Sequence, residues 1–196
     1  MFSYGSSNGD QTLSRGDDSC TAVNLNFHFY YYENVYTSCC ISINGYVSFD
    51  DMNSYIRPSY HNFIAPFAHD LSTYSNGNIY YRSISDLQTL NQIGSEISSL
   101  CFLNTVNYMP TNAFIATWDA VPPYSLSSPA NTFASFQLII STDGSNSFLT
   151  INYGSLGFGA SSGYYFQYGY TTISINNPEL SSNVGVNGKW IYHLSI

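Results

Sequence analysis

Alternation of apolar and polar positions is the strongest signal in this chain. Leu25, Phe27, Phe29 and Tyr31 recur at every second position, and Cys39, Ile41 and Ile43 alternate with Cys40, Ser42 and Asn44. A period of two sends successive side chains to opposite faces of a strand, so two strands joined near Glu33-Asn34 are expected. Asn44-Gly45 then suits the positive φ of a tight turn or bulge, and Tyr46-Val47-Ser48-Phe49 resumes the alternation. Strands are also expected over 63–71 and 78–82, joined around Ser75-Asn76-Gly77, with Pro66 marking an edge strand or a strand start. Ala113–Trp118, Ser135–Ser141, Phe148–Tyr153, Thr171–Ile175 and Lys189–Leu194 complete the set, and Asp143-Gly144 suits a hairpin turn.

One segment has the other period. Ile84, Leu87, Leu90, Ile93, Ile97 and Leu100 fall at spacings of three and four, which predicts an amphipathic helix over 85–99. Ser85 and Gln88 fit a capping box, and Gly94 weakens the helix by about 1 kcal/mol relative to Ala. About nine or ten strands and one helix imply a mainly β fold: antiparallel sheet on sheet, sandwich or barrel-like, with the helix covering one face. Residues 1–19 are rich in Ser, Gly and Asp and weakly patterned. They are expected to form a flexible or loosely docked arm, with 20–196 as one domain.

Composition narrows the function. Only 8% of the 196 residues are charged, against about 25% in an average soluble chain. Arg15, Arg57, Arg82 and Lys189 are scattered and the formal net charge is -8, which argues against nucleic acid and against an anionic membrane surface. No apolar run approaches the ~20 residues of a membrane span, so no membrane insertion is expected. The start MFSYGSSNGD has no apolar leader; a secreted chain with this start would have lost its signal by cleavage. No Asn-x-Ser/Thr sequon occurs, so N-glycosylation is not expected.

Cys20, Cys39, Cys40 and Cys101 contain no Cys-x-x-Cys. An even count suits disulfides, and neighbouring cysteines rarely bridge each other because the geometry strains the peptide between them. The expectation is that Cys39 and Cys40 each take one of Cys20 and Cys101; four buried free thiols are the alternative.

Catalytic and metal signals are thin. Gly159-Ala160-Ser161-Ser162-Gly163 matches a nucleophile-elbow spacing, but no hydrophobic strand precedes Ser161 and no helix follows. His28, His61, His69 and His193 include no His-x-x-x-His pair; His61 and His69 with Asp70 are the nearest to a zinc set. Asp17-Asp18 and Asp50-Asp51 could offer oxygens to Ca²⁺ but lack the EF-hand pattern, and solvated turns are the expected reading of both. Asp70 and Asp119, each on an otherwise apolar stretch, are the candidate carboxylate pair for a hydrolase, against a role capping backbone N–H groups. No catalytic residue, cofactor or metal is assigned.

Several segments form an ordered series, beginning with Asn44-Gly45-Tyr46-Val47-Ser48-Phe49, Ile64-Ala65-Pro66-Phe67-Ala68-His69-Asp70 and Gly77-Asn78-Ile79-Tyr80-Tyr81-Arg82. The series continues with Ile115 to Val121 around Trp118-Asp119, Asn131-Thr132-Phe133 with Phe136-Gln137-Leu138, Thr142-Asp143-Gly144, Asn152-Tyr153-Gly154, and Ser182 to Trp190. In this order the segments resemble the nidogen-like extracellular (NIDO) domain family. The family pattern carries Trp where Ala68 stands, and Ala134-Ser135 is an insertion. The resemblance implies a non-enzymatic extracellular module for matrix structure or cell–matrix adhesion, with other extracellular proteins or copies of itself as partners. It also implies structural roles for Asn44, Gly45, Phe49, Pro66, Asp70, Trp118, Asp119, Asp143, Gly144 and Trp190. A self-assembling subunit of an extracellular filament or coat, and a hydrolase using Asp70 or Asp119, are the alternatives.

Overall fold

The alternating segments pair as strands because each has one apolar face to bury. The computed structural model describes residues 1–50, 62–100, 107–124, 132–158, 165–168, 171–174 and 177–194. Its strands are β1 (Gln11–Thr12), β2 (Cys20–Tyr31), β3 (Asn34–Ser42), β4 (Tyr46–Ser48), β5 (Phe63–Ile64) and β6 (Asn78–Ile84). After helix α1 (Leu87–Leu100) come β7 (Asn112–Val121), β8 (Ala134–Thr142), β9 (Ser147–Leu156), β10 (Tyr165–Tyr168), β11 (Thr171–Ser174) and β12 (Lys189–His193). They form two six-stranded sheets, β1-β6-β7-β8-β9-β12 and β11-β10-β5-β4-β3-β2, with every pairing antiparallel. Each sheet keeps its own edges, so the architecture is a sandwich and not a closed barrel.

The main core lies between the sheets. Phe114, Trp118, Phe136 and Leu138 from one meet Leu25, Phe29, Cys39 and Ile41 from the other. Trp118 stacks on Phe136 at 4.8 Å, and its Nε1 donates to the Ser42 carbonyl at 3.1 Å, satisfying the indole inside the core. The far face of the first sheet carries a second core under α1, where Leu90, Ile93 and Ile97 pack on Ile84, Ala113, Ile115 and Ile139. The order through the molecule is helix, sheet, sheet.

Several local expectations change. The helix cap is Asp86, whose Oδ1 accepts from Thr89 N at 2.8 Å, so α1 starts one position later than the Ser85 box implied. A carboxylate there also meets the positive end of the helix dipole. Gly94 is a packing requirement: a Cβ would lie 2.4 Å from the Tyr108 carbonyl oxygen. The strand expected over 63–71 stops at Ile64, because Phe67 N and His69 N donate to Gly45 O and Asn44 O instead of to a neighbouring strand. Pro66 therefore follows β5, which is interior, pairing with both β4 and β10. Strand β10 falls in a stretch where no strand was expected.

Strand alternation also decides the cysteines. Cys39 and Cys40 point to opposite faces of β3. Cys40, registered opposite Ala22, bridges Cys20 with a Cα–Cα distance of 5.6 Å. Cys39 faces the intersheet core as a buried free thiol, its pKa pushed up by burial. The expected bridge on Cys40 is present and pairs it with Cys20; Cys39 carries none, and Cys101 lies outside the described residues.

Candidate functional site: an acidic corner

Asn44-Gly45 closes the β3–β4 hairpin, with Gly45 at φ 81°. A Cβ on Gly45 would lie 2.0 Å from the Phe67 carbonyl oxygen, so only glycine lets the 65–71 loop lie across this turn. That crossing buries Asn44 completely, and its side chain joins two loops. Nδ2 donates to Asp18 Oδ1 at 2.7 Å, and Oδ1 accepts from Leu71 N at 2.8 Å. Gly16 and Thr73 exchange backbone and hydroxyl bonds, with Thr73 N donating to Gly16 O and Gly16 N to Thr73 Oγ1, both at 2.9 Å. Arg15 Nη1 donates to Thr73 O at 2.7 Å, and Tyr124 N to Asp70 O at 2.7 Å, which adds the 121–124 segment.

This frame brings Asp17, Asp18 and Asp70 together, with one carboxylate oxygen from each within 4.8 Å of the others. Asp17 Oδ1 and Asp70 Oδ1 are shut off from solvent and accept no hydrogen bond from the described residues. Both groups have pKa values above the usual carboxylate range. Burial is the largest cause for each, followed by Asp18 for Asp17, and by Asp18 and then Asp17 for Asp70. Three carboxylates are the hard-oxygen donors a divalent cation takes, though fewer than the six to eight oxygens of a full Ca²⁺ shell. Tyr74 and Tyr124 flank the loops with 68% and 56% of their surface exposed.

The other candidates sit elsewhere. Asp119 accepts from the Tyr4 hydroxyl at 3.0 Å on the outer face of β7, whereas Asp70 groups with Asp17 and Asp18, so the two candidate carboxylates have different partners. His69 is half-buried against Phe67 and Phe158, with its pKa lowered by burial. His28 and His193 are exposed, and His193 lies 3.3 Å from Asn146 Oδ1. Asp50 accepts from Asn62 Nδ2. His61, Asp51 and Ser161 lie outside the described residues. Phe49 stacks in the core with Phe29, Asp143 caps its turn by accepting from Ser145 N and Asn146 N, and Trp190 Nε1 donates to Pro178 O. Gly144 turns that hairpin at φ 93°. The N-terminal segment, which carried no site signal, meets the buried Gln137 through Phe2, and Gln137 is a polar residue on a sheet face that alternation alone would flag.

The described residues thus form a β-sandwich module with one helix layer, in which an Asn-Gly turn is locked under a Pro-Phe loop. The nidogen-like domain family model matches residues 37–195, and the chain belongs to that family. Nidogen-2 of Mus musculus is 29% identical over 99% of the chain and 17% of its own length. Alpha-tectorin of Gallus gallus is 26% identical over 95% of the chain and 10% of its length. Dendrite extension defective protein 1 of Caenorhabditis elegans is 27% identical over 100% of the chain and 18% of its length. The chain thus spans less than a fifth of each of these three relatives. No solved structure matches. No enzyme family is indicated. Membership, with a disulfide of the kind that persists in oxidising compartments, places the chain outside the cell.

Proposed function

We propose that the chain is a non-enzymatic module of extracellular matrix structure or cell–matrix adhesion, residues 20–196 with a 1–19 arm, that works by docking other proteins. The family match over 37–195 carries this reading. The acidic corner supports a docking surface for a basic segment of a partner. The described cations are already engaged: Arg82 pairs with Asp10, Lys189 with Glu96, and Arg15 holds Thr73 O. Among the described residues no Lys or Arg forms an ion pair with Asp17, Asp18 or Asp70, and exposed Tyr74 and Tyr124 offer ring faces to Lys or Arg. A hydrolase reading gains no support from Asp70 and Asp119 in their separate settings.

The test is binding of the purified chain to cell-derived matrix across a salt series. Saturable binding that weakens as salt rises supports the reading. Binding that never saturates, or that ignores salt, overturns it. A second reading, self-assembly into an extracellular filament or coat, draws support from how residues 1–13 lie on the first sheet.

A further inference from the structure

The outer face of the first sheet is divided in two. Under α1 its floor is apolar, with Ala113, Ile115 and Ile139. Beside the helix its floor is polar: Thr117, Gln137, Thr150 and Asn152 are all buried there. A buried polar floor is out of place on a permanent core and needs partners. The N-terminal segment supplies them. Phe2 N donates to Gln137 Oε1 at 2.8 Å, and Gln137 Nε2 donates back to Phe2 O at 3.1 Å, so one side-chain amide imitates a neighbouring strand. Gln137 Nε2 also reaches Thr117 Oγ1 at 2.9 Å.

The segment then runs down the face on further hooks. Tyr4 donates to Asp119, Arg82 Nη2 donates to Ser3 O at 3.0 Å, and Arg82 pairs with Asp10. It ends as a two-residue strand on the β6 edge, Gln11 opposite Tyr81 and Thr12 opposite Tyr80, with Leu13 N donating to Ile79 O at 2.9 Å. From Met1 to Thr12 only Phe2 adds to an apolar core. Lifting residues 1–13 therefore wets a polar floor and withdraws two buried apolar side chains, Phe2 from the core under the helix and Leu13 from the core between the sheets, and exchange restores both in trans. Exposed Ser14 and Arg15 separate it from Gly16, which is fastened to Thr73.

We propose that this polar groove is a receptor for residues 1–13 delivered by a second copy of the chain, so that copies join by exchanging arms. The occupant that fits every hook is the segment now in the groove, and any second copy carries it. Exchange repeats each contact in trans, which is the low-cost route to joined protomers. It deepens the self-assembly reading and rests on it.

Disulfide trapping in the full chain tests the exchange. Leu13 and Ile79 form a hydrogen-bonded pair, so Thr12 and Tyr80 form the close pair, with Cα atoms about 4.5 Å apart, within disulfide reach. One population carries Thr12→Cys and the other Tyr80→Cys; the two are mixed under mild oxidation, and the bridge is identified by peptide mapping. The doubly substituted chain, which closes on itself, gives the reference signature. The expected result is a 12-to-80 bridge between chains whose yield rises with protein concentration and falls with Phe2→Glu. Unbridged mixed chains at high concentration, alongside a closed reference, overturn the proposal. Sedimentation of the unaltered chain separates the two failures. Oligomers without the bridge overturn arm exchange alone; monomers without it overturn self-assembly as well.

Discussion

Replacing Asp70 by Asn tests whether the acidic corner is held together against its own repulsion. One carboxylate oxygen from each of Asp17, Asp18 and Asp70 lies within 4.8 Å of the other two. Two unit charges at that distance repel by about 3.5 kcal/mol at an effective dielectric of about 20 and by about 0.9 kcal/mol in bulk water. The corner is partly open to solvent, so the screened end of that range applies. Asp70→Asn keeps the shape, removes one charge and leaves the Asp70 carbonyl bond to Tyr124 N intact. A stabilisation of about 1 kcal/mol follows, or about 2–4 °C in Tm for a domain of this size. Because the native pKa of Asp70 is raised, the folded state binds the extra proton and stability falls as pH rises. The penalty is complete above the native pKa, fades as pH drops through it, and is gone below the unfolded value near 3.9. Melting both proteins in chelator across pH should show the variant ahead at neutral pH and level with the parent in acid. A variant that melts lower at neutral pH, or a gap that persists below about pH 3.9, would refute the reasoning.

Four further outcomes follow from the fold. Asp86→Ala should cost about 1 kcal/mol in denaturant unfolding. The bond from Thr89 N holds the Asp86 carboxyl below its usual range, so that contribution is complete above the unfolded value and lost as pH falls through the native one. Gly45→Ala should cost at least about 3 kcal/mol, from a left-handed φ and a clash that breaks the Phe67 and His69 bonds; a loss under about 1 kcal/mol in the same assay would contradict the packing described. Replacing Cys20 and Cys40 together by Ser should lower stability by about 3 kcal/mol, given the 20-residue separation. Cys39 should resist alkylation in the parent until the chain unfolds, as a buried thiol with a raised pKa.

The sandwich and its helix were legible because period-two and helical runs are local. Leu25 to Tyr31 and Ile84 to Leu100 each declare a face without reference to the rest of the chain. What a local pattern does not carry is competition between partners. Ser85 and Asp86 both suit a cap, and the carboxylate wins. Residues 65–71 read as strand, yet Asn44 and Gly45 claim their amides. The acidic corner was half visible: Asp17-Asp18 and Asp70 were both singled out, on separate grounds. Their meeting depends on Asn44, which joins loops 26 and 27 residues away on either side. The clamp on Phe2 spans 135 residues and has no local signature beyond a Gln inside the apolar run from Phe136 to Ile140.

The central claim is that the acidic corner docks partners, and that charges costly to the fold are retained for contact. Binding of an Asp17→Asn, Asp18→Asn, Asp70→Asn triple variant to cell-derived matrix, beside its melting temperature, measures both halves at once. The account predicts a variant that melts higher than the parent and binds at least tenfold more weakly, about 1.4 kcal/mol. A variant that binds as well as the parent would contradict it.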